Sequence, residues 1–161
     1  MIKGKAHLFG ANIDTDAIIP TSYANLNAPA DLGAHCMEGI APDFAKKVNP
    51  GDIIVASTNF GCGSSREVAP LSIKGAGVSC VIAKTFARIF FRNAINIALP
   101  LLECPEAADQ INEQDQLAID LVSGKIRNLS KNDVYTATTY PNFIQGIIDA
   151  GGLIAYTRSK T

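Results

Sequence analysis

The sequence lacks an excess of charge, a long apolar run and a cysteine pair, and each lack closes off a class of function. Its 14 basic and 15 acidic side chains leave a formal charge of −1 without long runs of one sign, which argues against a simple binder of nucleic acid or anionic membrane. The longest apolar stretches, such as Ala94 to Leu102, fall far short of the roughly 20 residues of a bilayer-spanning helix. Met1-Ile-Lys-Gly-Lys5 shows no apolar signal region, so a soluble cytoplasmic protein is expected. Cys36, Cys62, Cys80 and Cys104 form no Cys-x-x-Cys pair and have no histidine at ligand spacing, so no metal or cofactor site is expected within the chain. Free thiols in a reducing compartment are the expected state. No repeat, linker or low-complexity segment divides the chain, and its 161 residues, 47% hydrophobic, are expected to form one folded domain over 1–161.

What is present centres on Asn59-Phe-Gly-Cys-Gly-Ser-Ser-Arg-Glu67, between the apolar run Asp52-Ile-Ile-Val-Ala-Ser57 and the amphipathic segment Val68-Ala-Pro-Leu-Ser-Ile-Lys74. It reads as a strand, a glycine turn lined with hydroxyls, and the first turn of a helix. Gly61 and Gly63 permit positive φ and close backbone approach, and Ser64 or Ser65 could cap a helix whose free N–H groups attract an anion. Arg66 adds a planar fork suited to a carboxylate or phosphate. From these residues alone a well-capped helix and an anion site are equally good readings. A dinucleotide fingerprint is missing its third glycine, a phosphate loop its Gly-Lys-Ser/Thr, and a nucleophile elbow its Gly-x-Ser-x-Gly.

The remaining chain predicts an opening strand at Lys3–Phe9, then a turn at Asp14-Thr-Asp16 whose carboxylates could cap a helix or stand at a site mouth. Thr21 to Pro29 reads as an exposed loop in which Tyr23, Asn25 and Leu26 are candidate contacts. Helices are predicted at Ala30–Glu38, Glu67–Lys74, Thr85–Asn96 and Asn142–Ala150, the last with Phe143, Ile147 and Ile148 on one face. Strands are predicted at Ile53–Ala56 and Val78–Ala83. A proline-bounded run at Leu99–Pro105 is unsuited to a central strand, a hairpin covers Leu117–Leu129, and a strand-like run covers Val134–Tyr140. Together these predict an α/β domain with a mixed sheet.

Asp14-Thr-Asp16, Asn59 to Glu67, Ala83-Lys-Thr-Phe-Ala-Arg-Ile89 and Gly151-Gly152-Leu153, in this order and spacing, resemble the small subunits of 3-isopropylmalate dehydratase and of the related homoaconitase and dimethylmalate dehydratase. The match runs essentially end to end, and the glycine, serine and arginine block is specific to the aconitase superfamily. The resemblance implies a swivelling β/β/α three-layer domain. It also implies a hydro-lyase that isomerises a hydroxy-dicarboxylate by dehydration and rehydration, active only with a large subunit that carries a [4Fe-4S] cluster. By residue match, Ser64 would be the base that removes the carbon-bound proton, Arg66 a carboxylate anchor and Asp16 the site aspartate. Ser65 and Gly63 would line the same turn, and Tyr23, Asn25 and Leu26 would lie in the selectivity loop. The chain departs from many relatives at Val68, where they carry a histidine after the arginine and glutamate, and at Tyr23-Ala-Asn-Leu26, where they often carry Tyr-Leu. Leu26 suits an isopropyl group, and the loop has no arginine for the distal carboxylate of homocitrate, which favours a branched-alkyl malate in leucine biosynthesis. The alternatives are dimethylmalate, citramalate or homocitrate as substrate, or a non-catalytic organic-anion-binding module.

Overall fold

The computed structural model describes residues 1–159. Strands β1 (Ile2–Leu8), β2 (Ile53–Val55), β3 (Cys80–Ala83) and β4 (Leu101–Glu103) run parallel, whereas β5 (Gln116–Asp120), β6 (Lys125–Asn128) and β7 (Asp133–Thr136) form an antiparallel meander. One mixed sheet of order β4-β3-β2-β1-β5-β6-β7 contains them all. The helices are α1 (Thr15–Ile18), α2 (Pro29–Gly33), α3 (Phe44–Lys47), α4 (Val68–Gly75), α5 (Arg88–Asn96), α6 (Pro105–Gln110), α7 (Asn142–Ala150) and α8 (Leu153–Ser159).

β1 belongs to both halves of the sheet. Its residues Ile2 to Lys5 pair with β5, and Ala6 to Leu8 pair with β2. The chain before β2 crosses β1 so closely at Gly4 that a Cβ there would lie 2.2 Å from the carbonyl oxygen of Gly51, so only a residue without a side chain fits.

Alternation along the strands sorts side chains into two cores. Ile54, Val81, Ala83 and Leu101 pack against Leu32, Phe44, Ile73 and Phe90 on the helical side. Ile53, Val55, Ile82 and Leu102 face the other way, onto Leu117, Ile119, Ile126 and Tyr135 of the meander. The sheet therefore curls over itself, giving a β/β/α layering. Every residue of β3 is buried, as a parallel strand covered on both faces requires, whereas β6 alternates exposed and buried. β4, flanked by Pro100 and Pro105, takes an edge position.

Several elements differ from expectation, among them α5, which starts at Arg88 and not at Thr85, and α3, which was not expected. α2 ends at Gly33 rather than Glu38, because the fully buried Met37 adopts a left-handed φ of 61° and donates its N–H to Ile18 O, drawing the chain onto α1. Phe143 is exposed, unlike Ile147 on the same helix, and sets its ring edge-on to Tyr156 of α8, a helix the periodicity did not announce. The extended run after Val134 ends at Thr136. Among the described residues no helix is long and apolar enough to cross a membrane.

Candidate active site

The loops that follow β1, β2 and β3 leave the carboxyl ends of adjacent parallel strands, where ligands bind in open α/β sheets. Backbone bonds join them: Asn12 N donates to Thr58 O at 2.8 Å, Gly61 N to Ile13 O at 2.7 Å and Thr15 N to Cys62 O at 2.9 Å. From the third loop, Thr85 Oγ1 accepts a 2.7 Å bond from Asn59 N. Gly61 has φ 86° and presses on α5, so that a Cβ there would lie 2.2 Å from Cγ of Phe90; Gly63 has φ 96°. The glycine turn is thus held on one side by the β1 loop and on the other by an aromatic ring.

Ser64 and Ser65, the predicted capping residues, cap no helix. α4 begins at Val68, with Glu67 as a cap residue that makes no side-chain bond. Pro70 is the reason: it lacks an N–H and is tolerated only in the first turn, so a helix starting at the serines would have placed it in the interior. The serines are left exposed on the loop. Ser64 Oγ lies 3.1 Å from Thr15 Oγ1, a side chain only 3% exposed. Arg66 Nη2 donates to Asp16 Oδ1 and to Ile19 O, both at 2.7 Å, and Thr21 Oγ1 donates to the same Asp16 oxygen at 3.1 Å. Arg66 Nε and Nη1 are buried with no hydrogen-bond partner. Asp14, one residue from Thr15, accepts from Ala17 N at 2.7 Å and caps α1.

The fold therefore brings Asp16, Gly63, Ser64 and Arg66 together at one surface. Tyr23, Asn25 and Leu26 stand on the adjoining segment, which reaches the cluster through Thr21. Leu26 and Tyr23 are half-buried against the helical core, and Asn25 is exposed. Tyr23 is fixed by two contacts: its ring stacks on His35 at 3.8 Å and its hydroxyl donates to Glu38 at 2.9 Å; Glu38 in turn holds His35 Nδ1 at 2.6 Å. Hydrogen bonds from His35 and then Tyr23 hold the Glu38 carboxyl below its usual range, and the bond to that carboxylate pushes the Tyr23 hydroxyl up. Thr15, Thr21, His35 and Glu38 contact the candidate residues without having been among them. Thr15 alone carried a signal, lying between two aspartates already singled out.

Cys36, Cys80 and Cys104 are buried and dispersed between the two cores, and Cys62 is half-buried in the turn. Burial pushes the Cys36 thiol up to about 12 and those of Cys80 and Cys104 up as well, which opposes the deprotonation that iron ligation needs. Among the described residues no three His, Cys, Asp or Glu side chains are grouped to hold a metal ion, so these residues do not fit an iron–sulfur cluster. A hollow of about 280 Å³ between α5, β4 and α7, lined by Phe86, Arg88, Phe91, Glu103, Tyr140 and Ile144 among others, includes neither Ser64 nor Arg66.

The Aconitase C-terminal domain family matches residues 3–107. The 3-isopropylmalate dehydratase small subunit of Clostridium beijerinckii is 58% identical over 99% of this chain and 99% of its own length. That of Caldicellulosiruptor saccharolyticus is 56% identical over 99% and 92%. The isopropylmalate/citramalate isomerase small subunit of Methanocaldococcus jannaschii is 52% identical over 99% and 95%. The crystal structure of 3-isopropylmalate dehydratase (leuD) from the same organism superposes with a TM-score of 0.95 at 47% identity, covering 99% of this chain and 94% of that one.

Proposed function

The chain belongs to the family of 3-isopropylmalate dehydratase small subunits, and on that premise we propose that it supplies the proton and carboxylate chemistry of an isopropylmalate isomerase whose other half lies on a large subunit. The observation that carries this reading is the cluster at the strand ends in which Ser64 is bonded to Thr15 and Arg66 to Asp16, with Ser64 and Asp16 exposed and Arg66 half-buried.

Ser64 is the base. It has no histidine partner, so its alkoxide depends on donors around it, of which the Thr15 hydroxyl stands 3.1 Å from its oxygen. Arg66 anchors a substrate carboxylate. Its guanidinium has five donors and satisfies protein acceptors through Nη2 alone, so it gains from a planar anionic ligand. Asp16 orients the guanidinium; its own side chain is 68% exposed, and an ion pair so open is worth roughly 1 kcal/mol or less, so a substrate carboxylate can share or take its place. Gly63 and Ser65 line the turn, while Tyr23, Asn25 and Leu26 present the segment that meets the substrate's alkyl group, Tyr23 being held by Glu38 and His35. Departure of the hydroxyl falls to the large subunit, to which the family resemblance assigns a [4Fe-4S] cluster acting as Lewis acid.

Anaerobic addition of the large subunit tests the proposal. The chain alone should not turn over substrate, and the complex should interconvert 2- and 3-isopropylmalate. Ser64→Ala should abolish exchange of the carbon-bound proton while assembly persists. A complex inert to both isomers would overturn the substrate, and near-normal exchange in Ser64→Ala would remove the serine from its role.

A further inference from the structure

We propose that Thr15 is the positioning residue of the base: its buried hydroxyl donates to Ser64 Oγ and fixes both the direction and the anionic form of that oxygen. The inference rests on the assignment of Ser64 above and adds to it a group 49 residues away in sequence.

Two bonds tie Thr15 to the glycine turn. Its N–H donates to Cys62 O at 2.9 Å, and its Oγ1 lies 3.1 Å from Ser64 Oγ. The first bond uses backbone and sets where the turn sits. The second uses the side chain and sets where the serine oxygen points. Thr15 is almost wholly buried and stands at the start of α1, immediately after the residue that caps that helix. A β-branched side chain in such a place has few rotamers, so its hydroxyl is held and needs no ordering when substrate arrives. Ser64, by contrast, is exposed on a loop and capped to nothing, and without this contact its rotamer would be free.

A proton count gives the direction of the bond. When Ser64 takes the carbon-bound proton it must begin as an alkoxide and end as a hydroxyl. The C–H electron pair becomes the new C=C bond as the substrate hydroxyl departs with its own pair toward the large subunit. The proton on Ser64 then returns to a carbon on rehydration or passes to solvent. Throughout, Thr15 keeps its proton and donates, to an anion before abstraction and to a neutral oxygen after it. A donor that binds the anion more strongly lowers the energy of the reactive form of the enzyme.

Asp14, Thr15 and Asp16 thereby act as one device. Asp14 caps α1, Thr15 holds the base, and Asp16 holds the carboxylate anchor. This gives a physical reason for a threonine between two aspartates: the first turn of a helix points consecutive side chains in different directions, and each meets a different partner.

The test compares Thr15→Val, which keeps the shape and loses the hydroxyl, with Thr15→Ser, which keeps the hydroxyl, in the complex with the large subunit. Thermal unfolding and amide hydrogen exchange at residues 62 to 66 are followed on the chain alone. The expected result is a loss of about 10- to 100-fold in kcat and in substrate proton exchange for Thr15→Val, since a hydrogen bond to a charged group is removed. KM should stay within about threefold because Arg66 is untouched, and Thr15→Ser should recover to within about threefold of the parent. Faster amide exchange at residues 62 to 66 in Thr15→Val but not in Thr15→Ser, with unchanged unfolding midpoints, is the expected signature in the isolated chain. Parent-like kcat in Thr15→Val, or equal damage in both variants, would overturn the proposal. If Ser64→Ala abolishes exchange while Thr15→Val leaves it intact, only this inference falls; if Ser64→Ala retains exchange, the assignment of the base falls first.

Discussion

Arg66 touches protein acceptors with a single nitrogen, and the chemistry of its other donors follows from that. An Arg66→Lys substitution keeps the charge, but a lysine is a point donor and cannot form two parallel bonds to a carboxylate. We expect KM for isopropylmalate in the complex to rise about 10- to 100-fold, with kcat falling less, as one charge-assisted bond is lost. Steady-state kinetics on the complex, with thermal unfolding as a control, measures it, and unchanged kinetics would leave Arg66 a purely structural residue. The residue types of Asn59 to Glu67 single out that turn in the sequence, as a helix cap or an anion site alike, because glycine, serine and arginine have intrinsic preferences. Thr15 is not singled out in this way, because a hydroxyl has no role until something stands 3.1 Å from it.

The helices and strands obey local rules until a long-range contact overrides them. Pro70 dates the start of α4, and the alternation in β6 announces its buried face. α2 stops at Gly33, short of the periodic segment, where the buried Met37 takes a left-handed φ and bonds to Ile18 O. β1 is the element on which both halves of the sheet depend, and Gly4 is its tightest point. Gly4→Ala would drive a methyl group into the backbone at Gly51, where no flexible side chain can move aside. The expected cost is about 1–3 kcal/mol of unfolding free energy, read as a lower urea midpoint with an unchanged slope. A variant as stable as the parent would mean that the Gly51 crossing shifts freely, and with it the junction of the two layers.

Across the molecule, one buried carboxylate ties β1 to the start of β2. Asp52 meets His7 Nε2 at 2.8 Å and accepts from the backbone N–H groups of Lys5 and Asn49. Burial alone would push its carboxyl up, but the bond from His7 and the two backbone bonds together outweigh it and hold the group below the usual range. A carboxyl depressed in the folded state stabilises the protein above its unfolded value, about 4, and loses that contribution as pH falls through the lower folded value. The unfolding temperature should therefore drop as pH is lowered below about 4, and Asp52→Asn should flatten that part of the profile. An equally steep profile in the variant would shift the effect to other carboxylates, such as Asp115, which Asn112 and Asn128 hold low in the same way against its burial. Order and kind of the main strands and helices, the mixed sheet, the edge place of β4 and the glycine turn were all readable along the chain, since periodicity, proline and turn chemistry act between near neighbours. The curl of the sheet onto itself, the pairing of Arg66 with Asp16 across 50 residues and the meeting of Thr15 with Ser64 were decided only by folding. They are contacts between loops at the ends of different strands, and no local preference specifies which loop a side chain will face.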